Sequence, residues 1–306
     1  MRKAIVTGAT GMLALALMRR LTAEQYKIYA VVRPNSGRRA NIPVQDNITV
    51  VECDLDNISA LPEMIEEKCN MFFHFAWDST YGASRNDMDA QVRNIKASVE
   101  AVKAAHKLGC TTFLGAGSQA EYGRTEEKLS AETPTNPENG YGMAKLCAGQ
   151  MTRVMCRELG IKHIWCRILS TYGPYDGKQT MVMSGILKML AGERASYTKG
   201  EQQWDYLYCD DAAEAFYLAA DKGVDGSIYC IGSGKTRPLS EYILAIRDAV
   251  DPTLSVGLGE VPYFENQVMY LCADISALTR DTGFVPKYSF EDGIKATVEW
   301  VKQNCN

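Results

Sequence analysis

Tyr141 and Lys145 are the two side chains in this sequence best suited to proton transfer. They are four residues apart on a predicted helix over 141–159, so they share one helix face. A phenol has a pKa of about 10, and acting as a base near pH 7 needs a shift worth roughly 4 kcal/mol. An ammonium group about 6 Å away supplies roughly 3 kcal/mol of this at an effective dielectric constant of about 20. The same spacing is frequent in ordinary amphipathic helices, so the pair alone does not establish chemistry.

Ser118 is a third polar side chain that could join this pair. It follows the predicted strand Thr111–Ala116, which precedes the helix that carries Tyr141 and Lys145. In a parallel sheet, ligands bind at the edge formed by the carboxyl ends of the strands. We therefore expect Ser118, Tyr141 and Lys145 to converge on one crevice, although a serine after a strand is by itself an ordinary turn residue.

A glycine-rich turn near the N-terminus predicts a dinucleotide site. The apolar strand Lys3–Thr7 leads into Gly8, Gly11 and Ala14, and a helix over Met12–Leu21 follows. Small residues at such a turn let a pyrophosphate approach the backbone, and the helix N-terminus favours its negative charge. The segment fits a strand, a turn and a helix better than a secretory signal.

The end of the second predicted strand, Lys27–Val32, indicates which dinucleotide is bound. Arg33 stands at this strand end, and no carboxylate occurs from residue 31 to residue 41. An acidic residue here would accept hydrogen bonds from the ribose hydroxyls of NAD, whereas an arginine accommodates the 2′-phosphate of NADP. The sequence therefore favours NADP(H), with NAD as the alternative; a solvated surface loop is the interpretation without a ligand.

The order of the predicted elements indicates the fold class. Further strands alternate with helical segments, and these strands are Ile48–Cys53, Met71–Ala76, Thr111–Ala116 and Ile161–Ile168. Such alternation predicts an α/β fold, a Rossmann-type doubly wound parallel sheet. We expect residues 1–170, with 205–231 returning to the sheet, to form the dinucleotide-binding domain. Residues 171–306 would form a smaller C-terminal α/β substrate-binding domain.

The composition limits the classes of function. The chain has 306 residues, of which 46% are hydrophobic and 23% charged, and its formal net charge is −4 at pH 7. These values are those of an ordinary soluble protein and argue against general binding to nucleic acids or membrane surfaces. The ten cysteines contain no C-x-x-C pair. We expect them to be reduced thiols of a cytoplasmic protein without a metal site.

In their order along the chain, these motifs resemble those of the extended short-chain dehydrogenases/reductases. The resemblance is to the NAD-dependent epimerase/dehydratase family, which works on nucleotide sugars, and it runs over nearly the whole length. The residues that carry it are Thr7–Gly11, Phe73–Ala76, Asn94, Ser118, Tyr141, Lys145, Arg167, Tyr172–Pro174, Asp205–Asp211, Asp274 and Gly283–Pro286.

The resemblance implies a role for each candidate residue. Tyr141 would exchange a proton with a sugar oxygen during hydride transfer, Lys145 would lower the pKa of Tyr141 and hold the nicotinamide ribose, and Ser118 would orient the sugar oxygen. The implied cofactor-binding residues are Gly8, Thr10, Gly11, Met12, Arg33, Asp54, Leu55, Phe75, Ala76, Asn94, Tyr141 and Lys145. The implied substrate-binding residues are Ser118, Gln119, Ser170 and Trp204. No metal is implied.

Departures from the family pattern narrow the chemistry. Trp204 and Ser170 stand where the family has an arginine and an asparagine near the substrate diphosphate. The family's dehydratases carry an Asp-Glu pair directly after the serine position, because eliminating water needs an acid and a base. Gln119 and Ala120 stand there and cannot titrate, so 4,6-dehydration is not expected. Chemistry limited to hydride transfer remains.

The predicted function is NADP(H)-dependent reduction of the 4-keto group of a nucleotide-activated (6-deoxy)hexose, with Tyr141 as the proton donor. The alternative is an NAD-dependent nucleotide-sugar 4-epimerase of the UDP-glucose 4-epimerase type. A remote alternative is a non-catalytic NADP sensor, which would need the cofactor loop but not the catalytic residues. The resemblance also implies a homodimer, formed through helices 92–106 and 141–159.

Overall fold

Short runs of small and apolar residues, such as Met71–His74 and Thr112–Ser118, are buried along their whole length, as strands inside a parallel sheet are. The computed structural model describes residues 1–304 and joins seven such strands into one sheet. The strands β1 to β14 are, in chain order, Lys3–Thr7, Lys27–Val32, Ile48–Glu52, Met71–His74, Thr112–Ser118, Lys162–Ile168, Ser170–Tyr172, Ser196–Tyr197, Gln203–Trp204, Tyr206–Tyr208, Ile228–Ile231, Arg237–Pro238, Gly257–Leu258 and Tyr270–Leu271. The helices α1 to α9 are Met12–Ala23, Leu61–Met64, Met88–Lys107, Gly140–Leu159, Met181–Leu190, Cys209–Lys222, Leu239–Val250, Ser276–Thr282 and Phe290–Asn304. Within residues 1–304, none of these helices is long and apolar enough to cross a membrane.

The central sheet has the strand order β11-β6-β5-β4-β1-β2-β3, and every neighbouring pair in it is parallel. Successive side chains of a strand point to opposite faces, so Ile5 and Val6 enter different hydrophobic clusters. Helices α1 and α6 cover one face, and α3 and α4 cover the other. The predicted doubly wound parallel α/β fold is thereby confirmed.

The direction in which the chain crosses the sheet reverses between β1 and β4. Strands β2 and β3 extend the sheet on one side of β1, and β4, β5 and β6 extend it on the other. The connections that follow these two neighbouring strands therefore leave in opposite directions, and a crevice opens at their carboxyl ends. Gly8 follows β1 and Phe75 follows β4, which places the glycine turn at this crevice.

The returning segment differs in part from the expectation for 205–231. Among the described strands of this segment, β11 joins the central sheet beside β6, whereas β10 pairs with β7 in a separate two-stranded sheet. The buried Asp205 carboxylate, directly before β10, accepts hydrogen bonds at 2.7–3.0 Å from backbone N–H groups just after β11 and from the N–H of Ala273. These bonds hold the start of β10 beside the sheet edge. The division into domains 1–170 and 171–306 remains a prediction.

Helices α3 and α4 pack against each other and leave large apolar side chains exposed. On α4 these include Met143, Met151 and Val154, and on α3 they include Met88 and Val92. Grouped exposed apolar side chains are typical of a surface that contacts another chain. Homodimerisation through these helices remains a prediction.

Candidate active site

The glycine turn after β1 forms a cradle for a negatively charged group. Gly8 adopts a φ of +66°, and a Cβ at this position would lie 2.9 Å from the backbone nitrogen of Ala76. Gly11 is the N-cap of α1, and within residues 1–304 no side-chain cap bonds to the first N–H groups of this helix. The free N–H groups of α1 fit the pyrophosphate of a dinucleotide.

A cavity of about 620 Å³ opens beside this turn. The predicted cofactor-binding residues in its wall are Gly8, Thr10, Gly11, Arg33, Asp54, Leu55, Phe75, Ala76 and Asn94. Met12 lines the adjoining cleft. Sites for small molecules and cofactors have volumes of roughly 300–1,000 Å³. The residues present therefore fit a nicotinamide dinucleotide.

Three arginines follow β2, and their surroundings differ. Arg33 and Arg38 are exposed and stand in the wall of the cavity. Arg39 forms an exposed ion pair with Glu52 of β3. Guanidinium groups bind phosphate through charge-assisted hydrogen bonds, so Arg33 and Arg38 are the groups available to a phosphate on the adenosine ribose.

A buried chain of hydrogen bonds joins β1, β4 and α3. Thr7 Oγ1 lies 3.0 Å from His74 Nδ1, and His74 Nε2 lies 3.2 Å from Ser98 Oγ. The side-chain amide of Asn94 donates to the carbonyl of Asp78 and accepts from its N–H, both at 3.0 Å. Burial lowers the pKa of His74 to about 3, so this histidine is neutral near pH 7. The two hydrogen bonds between Asn94 and Asp78 fix the loop after β4, which forms part of the cavity wall.

The three predicted catalytic residues meet at the adjoining cleft, which has a volume of about 850 Å³. Ser118 is the last residue of β5, and Tyr141 and Lys145 lie on the first turns of α4. The Asn139 side chain caps α4 by accepting a hydrogen bond from the N–H of Gly142 at 2.9 Å, which fixes the start of the helix. The structure brings Ser118, Tyr141 and Lys145 into one wall of this cleft.

The Lys145 ammonium group is buried and has defined partners. Its Nζ donates to the carbonyl of Ala116 at 2.6 Å and lies 3.7 Å from the centre of the Trp77 ring. It lies 5.7 Å from the centre of the Tyr141 ring. Burial lowers the pKa of Lys145 to about 7, and the negative charge of Glu121 opposes this shift. Lys145 therefore gives up its proton more readily than an exposed lysine does.

The Tyr141 phenol is held by Trp77 and Arg85. The Tyr141 and Trp77 rings meet edge to face with centroids 6.2 Å apart, and the Arg85 guanidinium lies 4.7 Å from the centre of the phenol ring. Burial raises the pKa of Tyr141, and the Ser118 hydroxyl and the Arg85 charge act in the opposite direction. The phenol is therefore protonated at neutral pH.

Sequence reasoning missed three residues around this cleft: Trp77, Arg85 and Asp176. Trp77 lines both cavities, and its Nε1–H donates to Gln91 at 2.9 Å. The Asp176 carboxylate stands in the cleft wall, and burial raises its pKa to about 6. For Trp77 a signal was available, because it directly follows the fourth predicted strand, where ligands of such sheets bind. Arg85 and Asp176 lie in connecting segments that carry no comparable signal.

The predicted substrate residues besides Ser118 occupy different places. Ser170 lies in the cleft wall, and Trp204 donates its Nε1–H to the Ser170 hydroxyl at 2.8 Å. Within residues 1–304, the walls of the two cavities include neither Gln119 nor Trp204. Gln119 begins the short 3-10 turn Gln119–Glu121, and Trp204 lies in β9 between β12 and β14. Trp204 therefore contacts the cleft wall through Ser170.

Side chains that could bind a metal are dispersed in the part of the chain that the structure describes. No group of three or more His, Cys, Asp or Glu residues among 1–304 could hold a metal ion. Nine cysteines are free, and all of these except Cys147 are buried; Cys305 lies outside the described residues. Burial raises the pKa of Cys110 and Cys166, so these thiols act as packing groups.

Comparison with known sequences agrees with this architecture. The model of the NAD dependent epimerase/dehydratase family matches residues 4–232. A dTDP-glucose 4,6-dehydratase from Escherichia coli is 29% identical over 187 residues, which cover 58% of this chain and 52% of that protein. A trifunctional UDP-glucose 4,6-dehydratase/UDP-4-keto-6-deoxy-D-glucose 3,5-epimerase/UDP-4-keto-L-rhamnose-reductase from Arabidopsis thaliana is 26% identical over 98% of this chain and 47% of that protein. The chain thus spans about half the length of these relatives.

Solved structures share the fold over the whole chain. A UDP-glucose 4-epimerase from Thermotoga maritima, solved with UDP-glucose, has a TM-score of 0.86 at 22% identity and covers 99% of this chain and 100% of its own. A dTDP-glucose 4,6-dehydratase from Streptomyces venezuelae, solved with NAD, has a TM-score of 0.86 at 21% identity and covers 99% of this chain and 97% of its own. At these identities the likeness establishes the fold.

Proposed function

Because the chain belongs to the NAD dependent epimerase/dehydratase family, we propose that it reduces the 4-keto group of a nucleotide-activated (6-deoxy)hexose with NADPH. The main observation behind this proposal is which residues form the cleft wall. Ser118, Tyr141 and Lys145 stand together there, and the two residues that follow Ser118 cannot titrate. These three side chains suffice for a hydride transfer that is coupled to the transfer of one proton.

The turn after Ser118 lacks the acid–base pair that dehydration requires. Gln119 is an amide and Ala120 is apolar, so neither exchanges a proton. Glu121 supplies the carboxylate of this turn, but it is fully buried and forms an ion pair with Arg167 at 2.7 Å. A carboxylate locked in this way does not reach a substrate carbon. The proposal therefore limits the chemistry to reduction or oxidation at one carbon.

Reduction requires Tyr141 to start protonated. Burial raises the pKa of Tyr141, so the phenol holds a proton that it can donate to the carbonyl oxygen of the substrate. The Ser118 hydroxyl donates a hydrogen bond to the same oxygen, and the Lys145 ammonium stabilises the phenolate as it forms. The bound nicotinamide supplies the hydride.

Two arginines support NADPH as the reductant. Arg33 and Arg38 line the cavity that we assign to the adenosine half, and the segment from residue 31 to residue 41 contains no carboxylate that would repel a 2′-phosphate. Arginine recognises phosphate through two parallel, charge-assisted hydrogen bonds.

The names of the relatives support a nucleotide sugar as the substrate. They specify dTDP-glucose for the bacterial dehydratase and UDP-glucose for the epimerase and the plant protein. The name of the plant protein also includes a reductase that acts on a UDP-4-keto sugar. A family member that reduces a 4-keto nucleotide sugar is therefore consistent with the chemistry that its relatives carry out.

A second candidate is an NAD-dependent 4-epimerase. The observation in its favour is the likeness over the full length of the Thermotoga maritima 4-epimerase. With a bound NAD to accept and return the hydride, Ser118, Tyr141 and Lys145 would take a proton from the sugar hydroxyl and give it back once the hydride has returned to the other face of the sugar. This reaction makes a greater demand on Lys145, because Tyr141 must first act as a base although burial raises its pKa.

Absorbance of the reduced nicotinamide separates the two candidates. The purified protein is titrated with NADPH and with NADH, and a panel of 4-keto-6-deoxy nucleotide sugars is then added. A reductase prefers NADPH and oxidises one cofactor for each sugar that it reduces. Tightly held NAD, no net loss of reduced cofactor and interconversion of a sugar with its epimer would refute the reductase and leave the epimerase.

A further inference from the structure

Glu121 lies directly behind Ser118. The Glu121 side chain is fully buried, and its Oε1 accepts a hydrogen bond from the backbone N–H of Ser118 at 2.8 Å. The Ser118 hydroxyl in turn accepts a hydrogen bond from the N–H of Ala120 at 3.2 Å. Together these bonds form a capping box over the turn 119–121. The backbone and the hydroxyl of Ser118 are therefore tied to the same turn as the Glu121 carboxylate.

Two side chains of β6 fix the Glu121 carboxylate from its other side. Arg167 Nε donates to Oε2 at 2.7 Å, and Trp165 Nε1 donates to Oε1 at 3.0 Å. Both donors belong to buried side chains. Because each carboxylate oxygen has a buried donor, the group is held in one orientation.

Three glycines make room for this arrangement. A Cβ at Gly115 or Gly117 would come within 3.0 Å of the Trp165 ring, and a Cβ at Gly117 would also lie 2.6 Å from Glu121 Oε1. A Cβ at Gly149 of α4 would lie 2.7 Å from the same ring. Glycine weakens strands and helices and is used where another group approaches closely. The groups that approach these glycines closely are the side chains of Trp165 and Glu121.

We propose that Glu121 is the positioning residue for Ser118 and that its two β6 partners serve to aim its carboxylate. The Ser118 hydroxyl accepts from Ala120, which leaves its O–H free to donate into the cleft, where Tyr141 stands. Without the acceptor at position 121, the turn would relax and the hydroxyl would lose this direction. The inference rests on the proposed function for the action of Ser118 on a substrate, whereas its effect on Tyr141 requires no substrate.

The negative charge of Glu121 also acts on Tyr141 and Lys145, so a test of the position of Ser118 must compare variants of equal charge. This negative charge raises the pKa of both Tyr141 and Lys145. Arg85 lowers the pKa of Tyr141, and Tyr81 raises it. Removing Glu121 alone would therefore mix an electrostatic effect with a loss of position.

Two double variants of equal charge differ in whether the side chain at position 121 provides a hydrogen-bond acceptor. Both contain Arg167→Met; one adds Glu121→Gln, which keeps an acceptor for the Ser118 N–H, and the other adds Glu121→Leu, which does not. The Tyr141 phenol is titrated by NMR in protein isotope-labelled at the tyrosine Cζ, with Tyr141→Phe to assign the signal. We expect a higher Tyr141 pKa in the leucine variant, because the Ser118 hydroxyl no longer stabilises the phenolate. We also expect kcat to be about tenfold lower than in the glutamine variant, with KM for NADPH unchanged.

The same two variants in the Ser118→Ala background show whether the effect passes through Ser118. If Glu121 positions Ser118, the leucine and glutamine variants should have the same Tyr141 pKa in the Ser118→Ala background, because no hydroxyl remains to be misplaced. A difference that persists without the hydroxyl, or no difference when it is present, overturns the proposal. Should the leucine variant not fold, Trp165→Phe removes one donor to Glu121 and is expected to raise the Tyr141 pKa in the same Ser118-dependent way. Failure to reduce any 4-keto sugar would refute the proposed function and leave the titration interpretable.

Discussion

The turn after β5 and the loop after β2 both follow carboxyl ends of strands in one sheet, but they are built differently. Ser118 and Glu121 in the turn are 8% and 0% exposed, whereas Arg33 and Arg38 in the loop are exposed. Ser118 and Glu121 have hydrogen-bond partners within the protein, whereas Arg33 and Arg38 face a cavity. A side chain that moves a proton needs a fixed geometry, whereas a cation that binds a phosphate takes its final geometry from the ligand.

Each of the two regions also has an ion pair, which is buried beside the turn and exposed in the loop. The side chains of Arg167 and Glu121 are 3% and 1% exposed, and those of Arg39 and Glu52 are 55% and 46% exposed. Breaking a buried pair leaves an uncompensated charge and costs about 3–5 kcal/mol, whereas an exposed pair contributes about 0–1 kcal/mol. We therefore expect variants in the turn to affect folding and catalysis, and variants in the loop to affect ligand binding at most.

The largest effect is expected for Tyr141→Phe, beside the buried turn. Loss of the proton donor is expected to lower kcat by about 10²–10⁴-fold, the usual contribution of a general acid. Binding of NADPH should remain, because the substitution removes only the phenol hydroxyl at the cleft and leaves in place Arg33, which lines the other cavity, and Arg38, which lines both. Steady-state oxidation of NADPH measures the first quantity, and fluorescence titration measures the second. As the control, Tyr263→Phe removes the hydroxyl of a phenol at the surface. Normal turnover by the Tyr141→Phe protein would contradict the proposed mechanism.

The limits of the strands show how far the sequence predicts the fold. β1 and β2 have the predicted bounds, because each is an apolar run that ends at Gly8 or Arg33. β4 ends at His74, two residues earlier than predicted, because the N–H of Ala76 donates to Thr7 Oγ1 instead of to a neighbouring strand. β5 extends two residues beyond its predicted end, through Gly117, and glycine is unfavourable in a strand unless a large side chain approaches it.

The candidate site divides in a similar way. Tyr141 and Lys145 were predictable because their spacing within one helix fixes their relative position. The partners that surround them were not, because Trp77 and Arg85 reach Tyr141 across more than fifty residues of sequence. The role of Glu121 was hidden for the same reason, since its ion pair with Arg167 forms only when β5 and β6 become neighbours.

Arg167→Met should produce the largest loss of stability. The variant leaves the Glu121 carboxylate buried without its cation, and we expect the free energy of unfolding to fall by about 3–5 kcal/mol. Urea denaturation measures this change. Adding Glu121→Gln removes the uncompensated charge and should recover most of the loss. A decrease of less than about 1 kcal/mol would show that solvent reaches the pair and would remove the contrast with the exposed pair.

Arg33→Gln should weaken cofactor binding without destabilising the protein. Loss of a charge-assisted hydrogen bond to the 2′-phosphate costs about 1.5–3 kcal/mol, which raises the Kd for NADPH by roughly 10–150-fold. The Kd for NADH should stay the same, because NADH has no phosphate at this position. Fluorescence titration with the two cofactors gives both values. An equal change for NADPH and NADH would show that Arg33 does not distinguish them, and Arg38→Gln would then test the other cation.

The buried His74 should make stability depend on pH. Its folded pKa of about 3 lies below the ordinary value of 6.5, so as the pH falls the unfolded chain takes up the proton first. Stability is therefore complete above about pH 6.5 and is lost as the pH falls towards 3. Between pH 7.5 and pH 5 the wild type should lose about 2 kcal/mol more than His74→Gln. Urea denaturation at the two pH values tests this, and parallel losses in the two proteins would show that His74 is hydrated.

The smallest effect is expected for Arg39→Gln, which is matched to both Arg33→Gln and Arg167→Met. Arg39 is in the same loop as Arg33 and has the same charge, but it pairs with Glu52 and does not stand in the cavity wall. Its ion pair is exposed, whereas the ion pair of Arg167 is buried. We expect the free energy of unfolding to change by less than about 0.5 kcal/mol, and the Kd for NADPH to change by less than about twofold.

Both quantities can be measured in the assays used for the two larger variants. A destabilisation above about 1 kcal/mol would mean that exposure does not determine what an ion pair contributes in this protein. A tenfold weaker binding of NADPH would mean that the net positive charge of the loop, and not the position of Arg33, attracts the phosphate. In that case raising the salt concentration should weaken NADPH binding to the wild type and to both loop variants in parallel, because screening acts on all exposed charges alike.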